Sequence, residues 1–249
     1  MFLRKYLTPL AVVLAAAPFA HANNLVQNGD FENVTTSASS VSGEFGSRFS
    51  SRQVDHWATT GYNWVMTATS ADTGSNPGEF GGLQLWGPGN GVANGLTASP
   101  TGGNYLAADG AFTVAAITQT INGLTVGHNY ALSFSWAGAQ QSGFTGDTTD
   151  KWTASLGAQS FDTSIVSLPS HGFSGWSQQT FNYTASSASE VLSFLATGTP
   201  NGVPPFALLD GVSLVDTTSV PDSAATGVLF GLSALALLAA PRLRRQLGK

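Results

Sequence analysis

Three carboxylates hold the first chemical possibility. Asp210 lies in the stretch FALLDGVSL, residues 206–214. Leu208, Asp210, Val212 and Leu214 share parity, so a regular strand would place the Asp210 carboxylate on its apolar face unless Gly211 makes a bulge. A carboxylate on that face is costly unless it is paired or bound to a cation. The nearest basic residues in sequence are far away. Toward the other end of the chain, NGDFE offers Asp30 and Glu32 beside Gly29. Calcium takes several hard oxygens, from carboxylates and backbone carbonyls, and these side chains are donors of that kind. The plainer reading leaves Asp210 accepting backbone N–H bonds and Glu32 in solvent.

A second group is aromatic. The chain has six Trp, and aromatic faces suit the apolar faces of pyranose rings. Trp57, Tyr62, Trp64 and Trp86 lie near loop-rich segments and are the candidates for a sugar-stacking platform. Trp152, which follows the polar loop QQSGFTGDTTDK, is similar. Trp136 and Trp176 sit in strand patterns and read as core, where buried aromatics supply much of the packing area. Packing is the competing role for all of these residues.

Catalytic patterns are missing. The sequence has no Cys for a nucleophile, and no H-E-x-x-H, G-x-S-x-G or phosphate-cradling G-x-x-x-x-G-K-[ST]. GFSGW around Ser174 has the wrong glycine spacing for a nucleophile elbow. His56, His128 and His171 are isolated, and His56 beside Asp55 reads as a solvated pair. Two carboxylates meeting across a cleft would still make a glycosidase pair, but nothing in the sequence places an acid beside a base. The reading is a protein that is not an enzyme.

Charge narrows the partners. The formal net charge of −5 hides an asymmetry, because six of nine basic residues lie in the two ends of the chain. Between residues 23 and 218 only Arg48, Arg52 and Lys151 stand against thirteen acidic residues, a balance of −10. Nucleic acid calls for a basic footprint, so it is excluded as a partner. An acidic surface suits cations and neutral polymers.

The elements that must carry these side chains are strands. In YALSFSW, Tyr130, Leu132, Phe134 and Trp136 alternate with Ala131, Ser133 and Ser135, the period-two pattern of a half-buried strand. KWTASLG, AAITQTING, GWSQQTFNYTA, EVLSFLATG and FALLDGVSL behave alike, and INGL, TVGHN and GTPNGVPP punctuate them as turns. The count is about ten strands with no helix outside the two ends, which predicts an all-β sandwich or barrel. The loop-rich segment from Gly78 to Gly103 is expected at one rim. There is no internal repeat, and about two hundred residues make one ordinary domain with a substantial core. No disulfide is available, so stability rests on that core and on any bound ion.

Both ends read as targeting segments. Arg4 and Lys5, the apolar stretch Leu7–Ala20 and the A-x-A pattern of Ala20, His21 and Ala22 describe a secretory signal peptide over 1–22, cleaved after Ala22. From Ser223 to Pro241 no residue is charged, about the minimum length for a transmembrane helix, here 223–241. Arg242, Arg244, Arg245 and Lys249 follow and orient the preceding domain outward. Val220, Pro221, Asp222 and Ser223, then the apolar run, then the Arg cluster resemble the PEP-CTERM sorting signals of Gram-negative bacteria. The usual motif is Pro-Glu-Pro; Pro-Asp-Ser here is close to a Val-Pro-Asp-Ser-Gly variant, with Ala224 in place of the last Gly. The resemblance covers the last thirty or so residues. It implies export from a Gram-negative cell, a precursor held transiently in the inner membrane, and processing near Pro221 and Asp222 by an exosortase after the general secretion machinery.

Between the ends, NLVQNGDFE, QTINGLTVGHNYALSFSWAG, GFSGWSQQTFNYTA, VLSFLATG and LLDGVSL occur in an order that resembles galactose-binding-like jelly rolls, as found in carbohydrate-binding modules. The resemblance spans nearly all of residues 24–215. It implies a jelly-roll β-sandwich over 23–218 whose first and last strands are neighbours. It also implies a structural Ca2+ between the chain ends, with Glu32 and Asp210 at ligand positions. Asp-Gly stands here where the family often has Asp-Asp, which removes one expected ligand. The combined expectation is an exported, cell-surface or extracellular protein of the exopolysaccharide or biofilm matrix, able to bind carbohydrate. The alternatives are a structural or adhesive matrix protein with no defined ligand, and a secreted glycoside hydrolase. Protein purified from its native host should show, by mass spectrometry, a mature C-terminus close to Pro221 and Asp222; surface-exposed protein ending at Lys249 would make the tail a plain anchor.

Overall fold

The computed structural model describes residues 23–218 apart from 50 and 75. The expected signal cleavage at Ala20 and Ala22, the motif Val220–Ser223 and the helix 223–241 lie outside the described residues. Within them the strands are β1 (Val34–Thr36), β2 (Gly43–Glu44), β3 (Arg52–Val54), β4 (Asn63–Thr67), β5 (Asn76–Gly78), β6 (Gly81–Leu83), β7 (Asn104–Asp109) and β8 (Ile117–Asn122). The second half adds β9 (Asn129–Gln140), β10 (Thr148–Leu156), β11 (Gln159–Asp162), β12 (Val166–Leu168), β13 (Ser177–Thr184), β14 (Ser189–Thr199) and β15 (Pro205–Asp216). A single short 3-10 turn at Pro88–Asn90 is the only helical element among the described residues.

Two sheets face each other as a jelly-roll sandwich. One has six strands in the order β13-β9-β15-β7-β4-β2; the other runs β11-β10-β14-β8, with β12 also paired to β10. The expected ten or so strands correspond to these two sheets. The short ribbons β1-β3 and β5-β6 lie outside them. Trp152, Ala154, Leu156, Leu192 and Phe194 from one sheet pack against Leu132, Phe134, Trp136, Leu209 and Leu214 from the other. The Trp152 indole N–H donates to the Leu208 carbonyl (3.0 Å), so its one polar atom is satisfied inside the core.

The part of the six-stranded sheet formed by β4, β7 and the adjoining parts of β9 and β15 is buried on its other face too. Trp64, Met66, Tyr105, Ala107, Ala137, Ala139, Phe206 and Leu208 form a second apolar layer there, closed by Ala71, Leu83, Leu85, Leu96, Phe173 and Trp176. The 78–103 segment is therefore a cap over a sheet face and not a rim loop. WVM, YLAA and FALL, short unbroken apolar runs, are what strands buried on both faces require. Trp176, expected in the core, belongs to this cap. It meets Tyr105 edge-to-face (5.4 Å, 81°) and stays partly exposed.

A bulge in β15 decides which way its side chains point. The register against β9 shifts between Asp210 and Ser213, with Gly211 at φ +61°. Before it, Phe206 and Leu208 face the cap while Ala207 and Leu209 face the sandwich core. After it, Val212 and Leu214 face the core. Uniform parity across 208–214 therefore fails at Gly211, because one extra residue reverses the alternation. The N-terminal segment follows β15 past this point: the Leu25 N–H donates to the Leu214 carbonyl (2.9 Å) and the Val212 N–H to the Gly29 carbonyl (2.8 Å). The first and last segments of the described residues are neighbours, as the resemblance implied. Gly211→Ala should lower the midpoint of urea unfolding by the equivalent of about 1–2 kcal/mol, the strain of a left-handed L-residue, since the new Cβ would also stand 2.9 Å from Thr101 Cγ2. An unchanged midpoint would mean that the bulge tolerates a side chain.

Candidate functional site

Three loops at one end of the sandwich each present a phenylalanine one or two residues from a glycine. GEFGG places Phe80 at the β5–β6 turn, DGAFT places Phe112 after β7, and SGFTG places Phe144 after β9. Their exposures are 63%, 41% and 37%. With Tyr62, Asp109, Gln141 and the turn at Asn201 and Gly202 they line a cleft of about 370 Å³. Phe112 stands edge-to-face on Tyr62 (5.3 Å, 87°), and Phe80 edge-to-face on Phe112 (5.9 Å, 71°). The Arg48 guanidinium lies 5.3–5.7 Å from the centres of all three rings.

Arg48 is fixed from behind. Its Nε donates to Glu79 (2.7 Å) and lies 3.3 Å from Glu44. The buried Glu44 accepts the Glu79 backbone N–H (2.7 Å) and so ties down the turn that carries Phe80. Burial pushes the Glu44 carboxyl up, against the pull of the Glu79 N–H and Arg48. Tyr62 is pushed up to about 12 by burial, reinforced by Glu44 and Asp109, so its hydroxyl stays protonated. Asp109 accepts the backbone N–H groups of Ala111 (2.8 Å) and Phe112 (3.0 Å) on Oδ1 and shapes the Phe112 loop. Burial raises its carboxyl to about 6, moderated by those two bonds. Exposed ring edges and faces beside a carboxylate and two side-chain amides can hold a ligand that has both apolar faces and hydroxyls.

The aromatic platform expected from sequence is corrected. Trp57 (4% exposed) and Trp64 (0%) are buried and offer no face to a ligand. Trp57 packs on Phe31 and donates its indole N–H to the Asn28 carbonyl (2.9 Å). Trp152 is likewise fully buried. Only Tyr62 of the four lines the cleft. Trp86 is half-buried, packs at a tilt against His171 (4.2 Å, 43°) and donates to the Phe144 carbonyl (2.9 Å), so it braces the Phe144 loop from behind. Tryptophan has a large area to bury and a single N–H that a carbonyl satisfies, so it goes inside. The legible signal was Phe inside glycine-rich turns. His128, expected to be isolated, has Nδ1 2.7 Å from Asp216.

The structure sets Glu32 near Asp210, and leaves both Glu32 and Asp30 exposed. Asp210 is fully buried; its Oδ2 accepts the hydroxyls of Ser99 and Thr101, and its Oδ1 accepts the Gly211 N–H (2.6 Å). Glu32 lies against Gly103 and accepts the Asn104 N–H (2.6 Å). Burial raises the Asp210 carboxyl to about 6; its hydrogen bonds oppose this and Glu32 adds to it. The donors are all hard oxygens, which suits calcium by type. Yet both carboxylates already hold protein donors, and no group of three acidic or His side chains gathers among the described residues.

No family model and no curated protein matches the chain. Solved structures give distant likenesses. One is a family 61 carbohydrate-binding module in complex with β-1,4-galactotriose, at 14% identity over 78% of this chain and 99% of that one, TM-score 0.43. Another is the xylan-binding domain from Paenibacillus barcinonensis, at 10% identity over 72% and 94%, TM-score 0.35. The enzymatically active domain of a bacteriophage CBA120 tailspike is similar at 16% identity over 78% of this chain and 21% of that one, TM-score 0.34. No described helix is long and apolar enough to cross a membrane.

Glu44→Ala should leave the Glu79 N–H and the Arg48 charge without their buried acceptor. The expected cost is about 1–3 kcal/mol in urea unfolding, with faster proteolytic nicking at the Phe80 turn. Unchanged nicking would show that Glu44 does not hold that turn.

Proposed function

We propose that this chain is an exported carbohydrate-binding protein that takes a neutral glycan in the cleft of Tyr62, Phe80, Phe112 and Phe144. The observation that carries the reading is the cleft itself. Three phenylalanines stay more than a third exposed, at a net cost in water, around Asp109, Gln141 and Asn201. Pyranose rings present C–H faces to such rings and hydroxyls to such acceptors and amides. The acidic domain argues for a neutral polymer over an anionic one.

The wider setting completes the proposal. A signal peptide over 1–22 exports the domain 23–218, and an exosortase processes the 219–249 tail of a precursor held in the inner membrane. The product works at the cell surface or in the extracellular polysaccharide matrix of a Gram-negative bacterium. Calcium between Glu32 and Asp210 is proposed as a structural ion that steadies the junction of the chain ends. No catalytic role is assigned.

A glycan array should find ligands, and Phe80→Ala, Phe112→Ala and Phe144→Ala should each weaken them by about 1–3 kcal/mol, tenfold per 1.4 kcal/mol, in calorimetry. Trp86→Phe should weaken them less. Full retention of every array ligand by the triple Phe variant would overturn the assignment of this cleft.

A further inference from the structure

The outer edges of the two sheets are short, bridged or charged, with one exception. β2 has two residues. β8 is bridged at Thr118 by Ala58, whose N–H donates to the Thr118 carbonyl (3.0 Å) and whose carbonyl accepts the Thr118 N–H (2.8 Å). β11 and β12 have four and three residues, and β11 ends on Asp162, paired with Lys151. β13 is eight residues long, Ser177–Thr184. It pairs with β9 along one side and, among the described residues, with no strand along the other. Its sequence, SQQTFNYT, holds no Pro and no charge, and its register against β9 has no bulge. Folded domains normally blunt such an edge, because its N–H and C=O groups are a template for another strand.

The direction of those groups follows from the ladder. The Ala185 N–H, one step past the strand, donates to the His128 carbonyl (3.0 Å), so odd-numbered residues turn toward β9. Thr184 turns the other way: its N–H donates to Gln159 Oε1 (3.2 Å) and its carbonyl accepts Gln159 Nε2 (2.5 Å). Alternation along an antiparallel strand points the N–H and C=O groups of Asn182, Thr180 and Gln178 outward as well. At Thr184 the Gln159 amide stands in for a partner strand. Further up the edge the Thr180 carbonyl accepts the Gln179 amide (3.2 Å), and no described residue takes the N–H groups of Gln178, Thr180 and Asn182. All three residues are exposed. Beside the strand Phe161 stays 42% exposed and stacks on Phe181 (5.4 Å, 22°).

We propose that β13 is a dimer edge, where two copies of this chain pair β13 against β13, antiparallel, about a two-fold axis at Thr180. That register sets Thr180 opposite Thr180 and Gln178 opposite the second copy's Asn182. It joins N–H and C=O groups that already point outward, and places amide side chain against amide side chain. It is self-complementary, as a two-fold interface requires. Charge selects a second copy as the occupant. The domain has a balance of −10, so two copies repel over most approaches. From 163 to 189 there is no Asp, Glu, Lys or Arg, so along this edge they meet without opposing their acids. A charged partner strand would find no counter-charge there. Phe161, packed on Phe181 one residue from the axis, adds apolar area to the joint. The dimer carries two clefts and gains on a repeating polymer through raised effective concentration; the pairing itself does not depend on what the cleft binds.

The test uses the protein purified from its native host, over a concentration series read by sedimentation and amide hydrogen exchange. Wild type should pass from monomer to dimer as concentration rises, with protection of the Thr180 and Asn182 amides rising in step. Asn182→Pro removes an outward N–H and leaves the β9 ladder intact. It should weaken the dimer by about tenfold or more, about 1.4 kcal/mol. Thr180→Lys and Thr180→Glu each set like charges opposite each other and should be monomers; mixed, they should recover a dimer. Should Asn182→Pro fail to fold, the two charge variants give the same readout. Wild type monomeric throughout, a dimer indifferent to all three substitutions, or no recovery on mixing would overturn the pairing. Protection of Thr180 and Asn182 that persists in the monomer would mean that another segment of this chain covers the edge, and would overturn it too.

Discussion

The structure depends on one constraint: β4, β7 and the adjoining parts of β9 and β15 in the six-stranded sheet are apolar on both faces. A sheet of that kind cannot stand as half of a two-layer sandwich with one side in water. The five-stranded sheet covers one face with Trp152, Phe194 and their neighbours. The 68–103 region covers the other with Leu83, Leu85 and Leu96. The β5–β6 turn that carries Phe80 is therefore part of a cap the sheet needs anyway. Site and stability share a segment, and Glu44 joins them by holding both Arg48 and the Glu79 N–H.

The bulge at Gly211 follows from the same constraint. β15 lies between β9 and β7 in the sheet, and its first six residues are buried on both faces, so each of their side chains must suit one layer or the other. Reversing the alternation at Gly211 turns Val212 and Leu214 into the core and leaves Asp210 on the cap side among Ser99 and Thr101. Without the reversal, either Asp210 or the two aliphatic residues would face the wrong layer. The N-terminal segment closes against this point because Gly29 allows its backbone to reach Val212.

Few cations serve many buried acids. With Arg48, Arg52 and Lys151 the only basic residues between 23 and 218, the domain cannot neutralise its interior carboxylates by ion pairs. Glu44 alone of the buried acids has one. Asp109 and Asp210 rely on N–H groups and hydroxyls, and their carboxyls rise to about 6 as burial outweighs those bonds. Asp150 has no such support, and burial, with the Asp109 charge adding to it, pushes its carboxyl well above the usual carboxylate range.

The sequence by itself determined the fold class, the strand segments and the net charge, because period-two alternation, turn residues and composition are local properties. It also contained the double burial of WVM, YLAA and FALL, and the Phe-in-glycine turns that line the cleft, though neither signal says which loops will meet. Only the tertiary structure decided that Trp57 and Trp64 go inside while Phe80, Phe112 and Phe144 stay out. It alone set Asp210 beside Glu32, and left Asp150 buried with no hydrogen-bond partner. The physical reason is the same in each case. A side chain's exposure and its electrostatic company are fixed by residues more than a hundred positions away, through strand pairings and one bulge whose register no local pattern records.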